Sequence, residues 1–195
     1  MLNMLNMLMK NHYIIKYNDS FINSTINLTN NYTIGWETIK LNSIESLSIN
    51  GLKFILQMKM IPGYNKLFIS PPNMTSSIHI DSLSQSYAIN YVWGEGESKM
   101  RWFEVMTDEP NKPAVTTSGD DYMIYNDTQV KLIEEIEVPH NTLMLVRTDI
   151  PHQVSNYSNT KRYCLSVRGS PKMNWKNAVA HFRPYFLEES QRIEL

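Results

Sequence analysis

Short stretches that alternate apolar and polar side chains recur along this chain, and each is bounded by turn-forming residues. Successive side chains of a strand point to opposite faces, so these stretches predict half-buried strands. Many short strands separated by turns favour a β-sandwich or a β-barrel. The predicted strands are residues 52–58, 66–70, 77–82, 87–93, 100–106, 130–138, 142–147 and 163–168, with a turn at 62–64 and a hairpin loop at 94–98.

The length and charge of the chain indicate how many domains it forms and what kind of partner it binds. With 195 residues it is expected to form one domain, residues 1–195, with a core at about 52–168. Hydrophobic residues make up 42% and charged residues 19%, which is typical of a globular protein. The net charge is −1, whereas a strong duplex binder carries a basic excess. A small molecule or peptide is therefore the favoured partner, and nucleic acid is less favoured.

Cysteine content and hydropathy predict the compartment. Cys164 is the single cysteine, which excludes an intrachain disulfide and fits a reducing compartment, so we expect the cytoplasm. No run reaches the ~18 apolar residues of a membrane helix. Residues 1–9 lack the basic region of a signal peptide.

Two further segments depart from the strand pattern. Residues 107–128 contain Pro110 and Pro113 and are predicted to be a long loop, either a substrate lid or plain disorder. Residues 175–190 have apolar side chains at helical spacing and predict a helix packed on the barrel, with Pro184 kinking or ending it. His181 in this helix is expected to be structural.

The segment His79-Ile80-Asp81 is the first candidate for a functional site. It lies in an alternating stretch, so His79 and Asp81 point to one face of a strand and Ile80 to the other. His152 follows the apolar strand 142–147 and a turn. Two His and one carboxylate on one face of a metal leave three positions open, the arrangement that non-haem Fe(II) oxygenases use. A chain with five His can contain a His-x-Asp triplet by chance, so the rest of the pattern matters.

The last predicted strand has one polar face. Period two places Arg162, Cys164, Ser166 and Arg168 on one side and apolar or aromatic residues on the other. Such a polar face either lies in water, as in a half-buried strand, or lines the ligand cavity of a small barrel. The two upstream His candidates favour the cavity.

Taken together, these residues resemble the superfamily of Fe(II)- and 2-oxoglutarate-dependent oxygenases, in particular uncharacterised, often phage-borne members. The resemblance covers about residues 67–168 and implies a mainly β fold, a double-stranded β-helix (jelly-roll or cupin-like barrel) with buttressing helices. It implies that His79, Asp81 and His152 bind the iron. It also implies that Arg162, ten residues after His152, grips the distal carboxylate of 2-oxoglutarate.

The Arg-x5-Arg spacing is similar to that of the nucleic-acid demethylase branch, in which both arginines contact the cosubstrate, so Arg168 is a second candidate. Cys164 stands where that branch usually has Asn or Ser, which departs from the branch pattern. Asn90 and Tyr87 are further candidates for hydrogen bonds to 2-oxoglutarate.

The implied activity is hydroxylation of a C–H bond, with Fe(II), 2-oxoglutarate and O2, and with release of succinate and CO2. The neutral charge favours a peptide side chain or a small molecule as substrate over a modified base. Two alternatives remain. One is a cupin-like metal-binding barrel acting as an isomerase or as a dioxygenase without 2-oxoglutarate. The other is a non-catalytic jelly-roll binding module.

Overall fold

A computed structural model describes residues 10–24, 26, 37–81, 86–109, 111–116 and 119–187. Its strands are β1 (His12–Ile15), β2 (Glu37–Asn42), β3 (Ile61–Ser70), β4 (Met74–Thr75), β5 (Ile78–Ile80), β6 (Tyr87–Gly94), β7 (Ser98–Val105), β8 (Lys112–Val115), β9 (Asp121–Tyr125), β10 (Val130–Glu137), β11 (Thr142–Arg147), β12 (His152–Asn156) and β13 (Arg162–Ser170). Its helices are α1 (Ser43–Ser46), α2 (Ile49–Gln57) and α3 (Trp175–Phe182), with 3-10 turns at Asp127–Gln129 and Arg183–Tyr185.

Eight of these strands pair in a nested order that defines the fold. β3 pairs with β13, β5 with β12, β6 with β11, and β7 with β10, and every pair is antiparallel. The chain is therefore one long hairpin, coiled so that most successive strands fall in opposite sheets. One sheet has the order β1-β11-β6-β13-β3-β2 and the other β10-β7-β12-β5-β9-β8. This confirms the predicted mainly β, double-stranded β-helix.

The six-stranded sheet buries both of its faces. On β6, Tyr87, Ile89 and Tyr91 pack outward into a core shared with helices α2 and α3. Ala88 and Val92 point the other way, into the barrel interior. The same alternation on β13 confirms the predicted period of two, since Leu165 and Val167 face the helices and Cys164 faces the interior.

Helix α2 replaces the strand predicted at residues 52–58, and that prediction was wrong. Ser48 caps the helix because its side chain accepts a hydrogen bond from the Gly51 backbone N–H. Gly51 and Ile55 are buried, one turn apart on the same helix face. A side chain at Gly51 would collide with the carbonyl oxygen of Phe21, so the glycine permits this close packing.

Three loop predictions also need correction. The turn predicted at 62–64 is a β-bulge in β3, because the register against β13 shifts between Val167 and Gly169. Residues 94–98 do not close a hairpin, since β6 and β7 belong to different sheets and residues 95–97 cross between them. Gly94 and Gly96 adopt φ of 128° and 88° at this crossing, where other residues are strained.

Residues 107–128 are not a featureless loop. They contain β8 and β9, which pair with each other, and β9 extends the sheet along the free edge of β5. The unpaired backbone groups of a sheet edge are a natural template for such an addition. This hairpin, β8–β9, therefore lies next to His79.

The C-terminal segment packs on the barrel as predicted, but its helix is shorter. Helix α3 ends at Phe182, and Pro184 lies in the following 3-10 turn. Residues 188–190 lie outside the described part of the chain. The His181 ring shares a hydrogen bond of 2.8 Å with the Met58 carbonyl oxygen, a structural contact. None of the helices in the described ranges is long and apolar enough to cross a membrane.

Candidate metal and ligand site

Strands β5 and β12 bring the three predicted metal ligands together. His79 on β5 and His152 on β12 are direct antiparallel partners, so their side chains lie on the same face of the sheet. Their ring centroids are 4.5 Å apart. Asp81 follows the last residue of β5 and, by the alternation of a strand, returns to the face of His79.

The ligand atoms converge closely enough to share one ion. The Nε2 atom of His79 lies 3.7 Å from Asp81 Oδ1, and the Nε2 atom of His152 lies 4.0 Å from the same oxygen. One ligand atom from each of the three residues lies within 4.8 Å of the other two. Metal–ligand bonds are ~2.0–2.2 Å long for His nitrogen and carboxylate oxygen, so small shifts would place all three around one ion. The group could therefore hold a metal.

The backbone orients both imidazoles for this role. His79 Nδ1 lies 2.9 Å from the carbonyl oxygen of Ser77, and His152 Nδ1 lies 3.0 Å from that of Ile150. A carbonyl only accepts, so each hydrogen bond requires the proton on Nδ1 and leaves the Nε2 lone pair for a metal. Such outer hydrogen bonds accompany metal-binding histidines.

Charge around the carboxylate favours its ionised form. Burial alone would raise the pKa of Asp81, but the Arg168 guanidinium and the two imidazoles together hold it well below its usual range. Arg168 Nη2 donates to Asp81 Oδ2 at 2.7 Å, which leaves Oδ1 directed at the histidines. Burial, with the neighbouring His79, lowers the pKa of His152 to about 4. Both groups are thus in the protonation state that a metal requires near pH 7.

The opposite wall of the site is the interior face of β13. Arg162 is 6% exposed and pairs across the sheet with Ser70 and Gly94, at the end of the barrel away from Asp81. Within the described part of the chain, no carboxylate lies within 4 Å of its guanidinium, and its Nε atom has no hydrogen-bond partner. Burial lowers the pKa of Arg162. A buried cation without a carboxylate partner is costly, so an anion bound beside it would stabilise it.

Other buried polar atoms on the interior face of the barrel also lack hydrogen-bond partners among the described residues. Ser166 and Asn90 are cross-strand neighbours, and the Ser166 Oγ and Asn90 Oδ1 atoms are buried without a hydrogen bond among the described residues. The same holds for Ser70 Oγ, whose residue lies directly opposite Arg162. Buried polar groups in native proteins are usually satisfied, and Asn90, which lines the cavity, could pair with a polar ligand there.

A cavity joins the metal ligands to the two arginines. Its volume is about 240 Å³. Besides the triad, its polar lining includes Asn90, Arg162 and Arg168. The remaining wall is largely apolar and includes Phe68, Val92, Met100, Met144, Val146 and Val154. Such a lining, with few convergent polar groups, is typical of a small-molecule site.

Tyr87 does not belong to this site, which corrects its prediction as a ligand of 2-oxoglutarate. It lies on the helix-facing side of β6, fully buried, and its hydroxyl donates to the Pro171 carbonyl oxygen at 2.7 Å. Asn90 is three residues further along the strand, so it points to the opposite face and lines the cavity. Period-two spacing alone separates the two residues.

The β8–β9 hairpin adds residues that the sequence did not single out. Tyr122 contacts the His79 ring edge-on, with 5.6 Å between ring centroids, and it lines the cavity together with Thr116. The predicted lid segment therefore does border the metal ligands, although as strands. In the sequence, only the length of this predicted loop and its two prolines indicated a functional role. No motif pointed to Tyr122.

No protein-family model and no curated protein sequence matches this chain. Matches among solved structures include E. coli ycfD, with 14% identity over 63% of this chain and 29% of that one, at a TM-score of 0.39. Peruvianin-I, a cysteine peptidase from Thevetia peruviana latex, matches with 11% identity over 81% and 77%, at 0.42. A variant of Bacillus subtilis oxalate decarboxylase matches with 12% identity over 80% and 31%, at 0.40. The chain thus spans less than a third of the first and third structures. Each of these three TM-scores is below 0.5, so these likenesses carry no weight for the fold or the site.

Proposed function

We propose that this chain is an Fe(II)- and 2-oxoglutarate-dependent oxygenase that hydroxylates a C–H bond of a small molecule or peptide side chain. The observation that carries the proposal is Arg162, a buried guanidinium without a carboxylate partner among the described residues. It lines the same cavity as the metal-binding group. A ligand that chelates a metal at one end and carries a carboxylate at the other satisfies both needs.

The residues of the triad fit the proposed metal. Two imidazoles and one carboxylate on one side of an ion suit Fe(II) and leave adjacent positions for a bidentate ligand and O2. When bound, iron would supply the redox chemistry that couples oxidative decarboxylation of 2-oxoglutarate to hydroxylation. Arg168 would keep Asp81 ionised and hold one of its oxygens, so that the other can bind the ion.

The opposite wall would hold the cosubstrate. Arg162 offers a planar, permanently charged fork that binds a carboxylate through two hydrogen bonds. Ser166 and Asn90 lie between the two arginines on the interior face and present polar atoms without partners in the described structure. The apolar residues around them exclude water, which strengthens each polar contact with the ligand.

Anaerobic titration of the metal-free protein with Fe(II) and 2-oxoglutarate, followed by visible absorbance, tests this proposal. A bidentate 2-oxoglutarate chelate of Fe(II) should produce a weak charge-transfer band that neither component gives alone. The Arg162→Met variant should bind Fe(II) and require far more 2-oxoglutarate to develop the band. If wild-type protein binds Fe(II) but gives no band at any 2-oxoglutarate concentration, the site belongs to another class of metalloprotein.

A further inference from the structure

A second cavity, of about 440 Å³, adjoins the metal-binding group on the outer side of Arg168. Asp81 and Arg168 belong to both cavities, so a molecule in the second cavity would lie next to the metal. Its other walls come from the bulged start of β3, the β8–β9 hairpin and the segment after β13. The side chains used below are those of Tyr64, Lys66 and Asp120.

Lys66 is the unusual group in this second cavity. It lies on the interior face of β3, opposite Ser166 on β13, and its side chain is only 10% exposed. Burial and the nearby Arg168 lower the pKa of its ammonium, whereas Asp120 raises it. The cavity therefore holds a largely buried amine.

Asp120 pairs with this amine in the structure. Its Oδ2 atom lies 3.2 Å from Lys66 Nζ, and its Oδ1 atom lies 3.4 Å from Lys40 Nζ on β2. It is the one carboxylate within 4 Å of Lys66 in the described ranges. The Tyr64 ring lies beneath both ammonium groups, with its centroid 5.5 Å from Lys40 Nζ and 6.0 Å from Lys66 Nζ. Two cations and an aromatic ring thus form a cradle that one carboxylate occupies.

The position of Asp120 makes this carboxylate exchangeable. Asp120 is carried by the β8–β9 hairpin, whose β9 strand pairs with β5, whereas both lysines lie on strands of the opposite sheet. The contact is an ion pair across the mouth of the barrel, and another anion that binds the lysines would displace Asp120 from it. Arg168 is paired with Asp81 beside the metal ligands, so an incoming carboxylate would instead compete with Asp120 for Lys66.

We infer that the second cavity is the substrate site and that it takes a small carboxylate-bearing molecule, whose carboxylate replaces Asp120 at Lys66. The inference rests on the proposed function for the reaction, but the carboxylate site itself does not require it. A volume of about 440 Å³ fits a metabolite-sized ligand. Such a ligand would extend from Lys66 towards Asp81, which borders the same cavity.

Binding of N-acetylglycine and of its neutral amide, measured by ligand-observed NMR, tests the inference. The Asp120→Asn variant removes the internal competitor, and it should bind N-acetylglycine about tenfold more tightly than wild type, the equivalent of one charge-assisted hydrogen bond. N-acetylglycinamide should gain nothing. The matched control is Asp127→Asn, which removes an exposed charge outside both cavities and should change the affinity less than twofold. Inorganic phosphate in a parallel titration should gain less than the carboxylate does.

A second substitution locates the effect. Lys66→Met in the Asp120→Asn background keeps the aliphatic stem and should abolish the gain. If this double variant does not fold, the comparison between the acid and its amide still decides. Equal gains for acid and amide, equal gains in both Asp variants, or a larger gain for phosphate would overturn the inference.

The failure of this inference can be told apart from failure of the proposed function. Each titration is run with and without 2-oxoglutarate, because binding that 2-oxoglutarate displaces belongs to the Arg162 cavity. If 2-oxoglutarate does not bind at all, the effect of Asp120→Asn is still measured against wild type. With Mn(II) bound to the triad, the acetyl methyl signal of bound N-acetylglycine should broaden, because the second cavity borders Asp81. Binding without broadening in Mn(II)-loaded protein would place the probe elsewhere and contradict the inference.

Discussion

Arg162 should lower the stability of the ligand-free protein and should be required for tight binding of 2-oxoglutarate. Its guanidinium is buried, and its Nε atom has no partner within the described residues. Replacing buried ionic groups by apolar ones of similar volume stabilises proteins by about 1–4 kcal/mol in favourable cases. Arg162→Met should therefore raise the free energy of unfolding of the metal-free protein, on the order of 1–4 kcal/mol.

The same variant should weaken 2-oxoglutarate binding. Removing one partner of a buried charge pair costs roughly 2–5 kcal/mol, because the distal carboxylate is left without its cation. At about 1.4 kcal/mol per decade, this corresponds to roughly 30-fold to several thousand-fold. Binding is measured by anaerobic calorimetry with Fe(II), and stability by urea denaturation.

Arg101→Met is the matched control for this experiment. Arg101 lies on the outer face of β7 and pairs with the half-exposed Glu135 at 2.6 Å. Arg101 also donates to Gln153, Ser155 and Tyr157, so its loss should destabilise the protein, as expected of a structural arginine, and leave 2-oxoglutarate affinity unchanged. The reasoning is refuted if Arg162→Met destabilises the metal-free protein as a structural arginine would, or if 2-oxoglutarate binds it as well as wild type.

Three further outcomes follow from the site. Arg168→Met should destabilise metal-free protein by about 3 kcal/mol, since it leaves Asp81 buried without its cation. In a thermal denaturation assay, bound Mn(II) should recover part of that loss. A loss of equal size with and without metal would contradict this. The imidazole of His152 has a pKa of 6.5 when unperturbed and about 4 when folded, so between these pH values the unfolded chain binds the extra proton. The free energy of unfolding of metal-free protein should therefore fall by roughly 3 kcal/mol as the pH drops from 6.5 to 4. The His152→Gln variant should lack most of this slope in urea titrations at several pH values. His79→Ala should weaken Fe(II) binding on the order of 100-fold or more, and the exposed His140→Ala should not, as measured with a competing chelator; equal affinities would remove His79 from the site.

The features predicted correctly from the sequence are those set by strand alternation. The pattern of residues 162–168 predicted which side chains of β13 face the interior, and the structure has Cys164 inside and Leu165 outside. His79 and Asp81 share a face for the same reason. Alternation is local, so it survives whatever the remote strands do. Alternation also separates Asn90, which lines the cavity, from Tyr87, which faces the helices.

The errors arose where tertiary contacts decide the structure. Residues 52–58 are rich in apolar residues that suit a strand, but the Ser48 cap and the packing of Gly51 against Phe21 select a helix. The β8–β9 hairpin pairs with the edge of β5, a long-range contact that no local pattern shows. Likewise, the ion pair between Arg168 and Asp81 joins residues that are 87 positions apart.

The most direct test of the central claim is a crystal structure of the protein with 2-oxoglutarate and with Mn(II) in place of Fe(II), so that the reaction does not proceed. We predict one ion within ~2.0–2.2 Å of His79 Nε2, His152 Nε2 and an Asp81 carboxylate oxygen. We also predict that the distal carboxylate of 2-oxoglutarate forms a paired contact with the Arg162 guanidinium. An ion bound elsewhere, or a distal carboxylate held by Arg168 while Arg162 stays without an anion, would contradict the account.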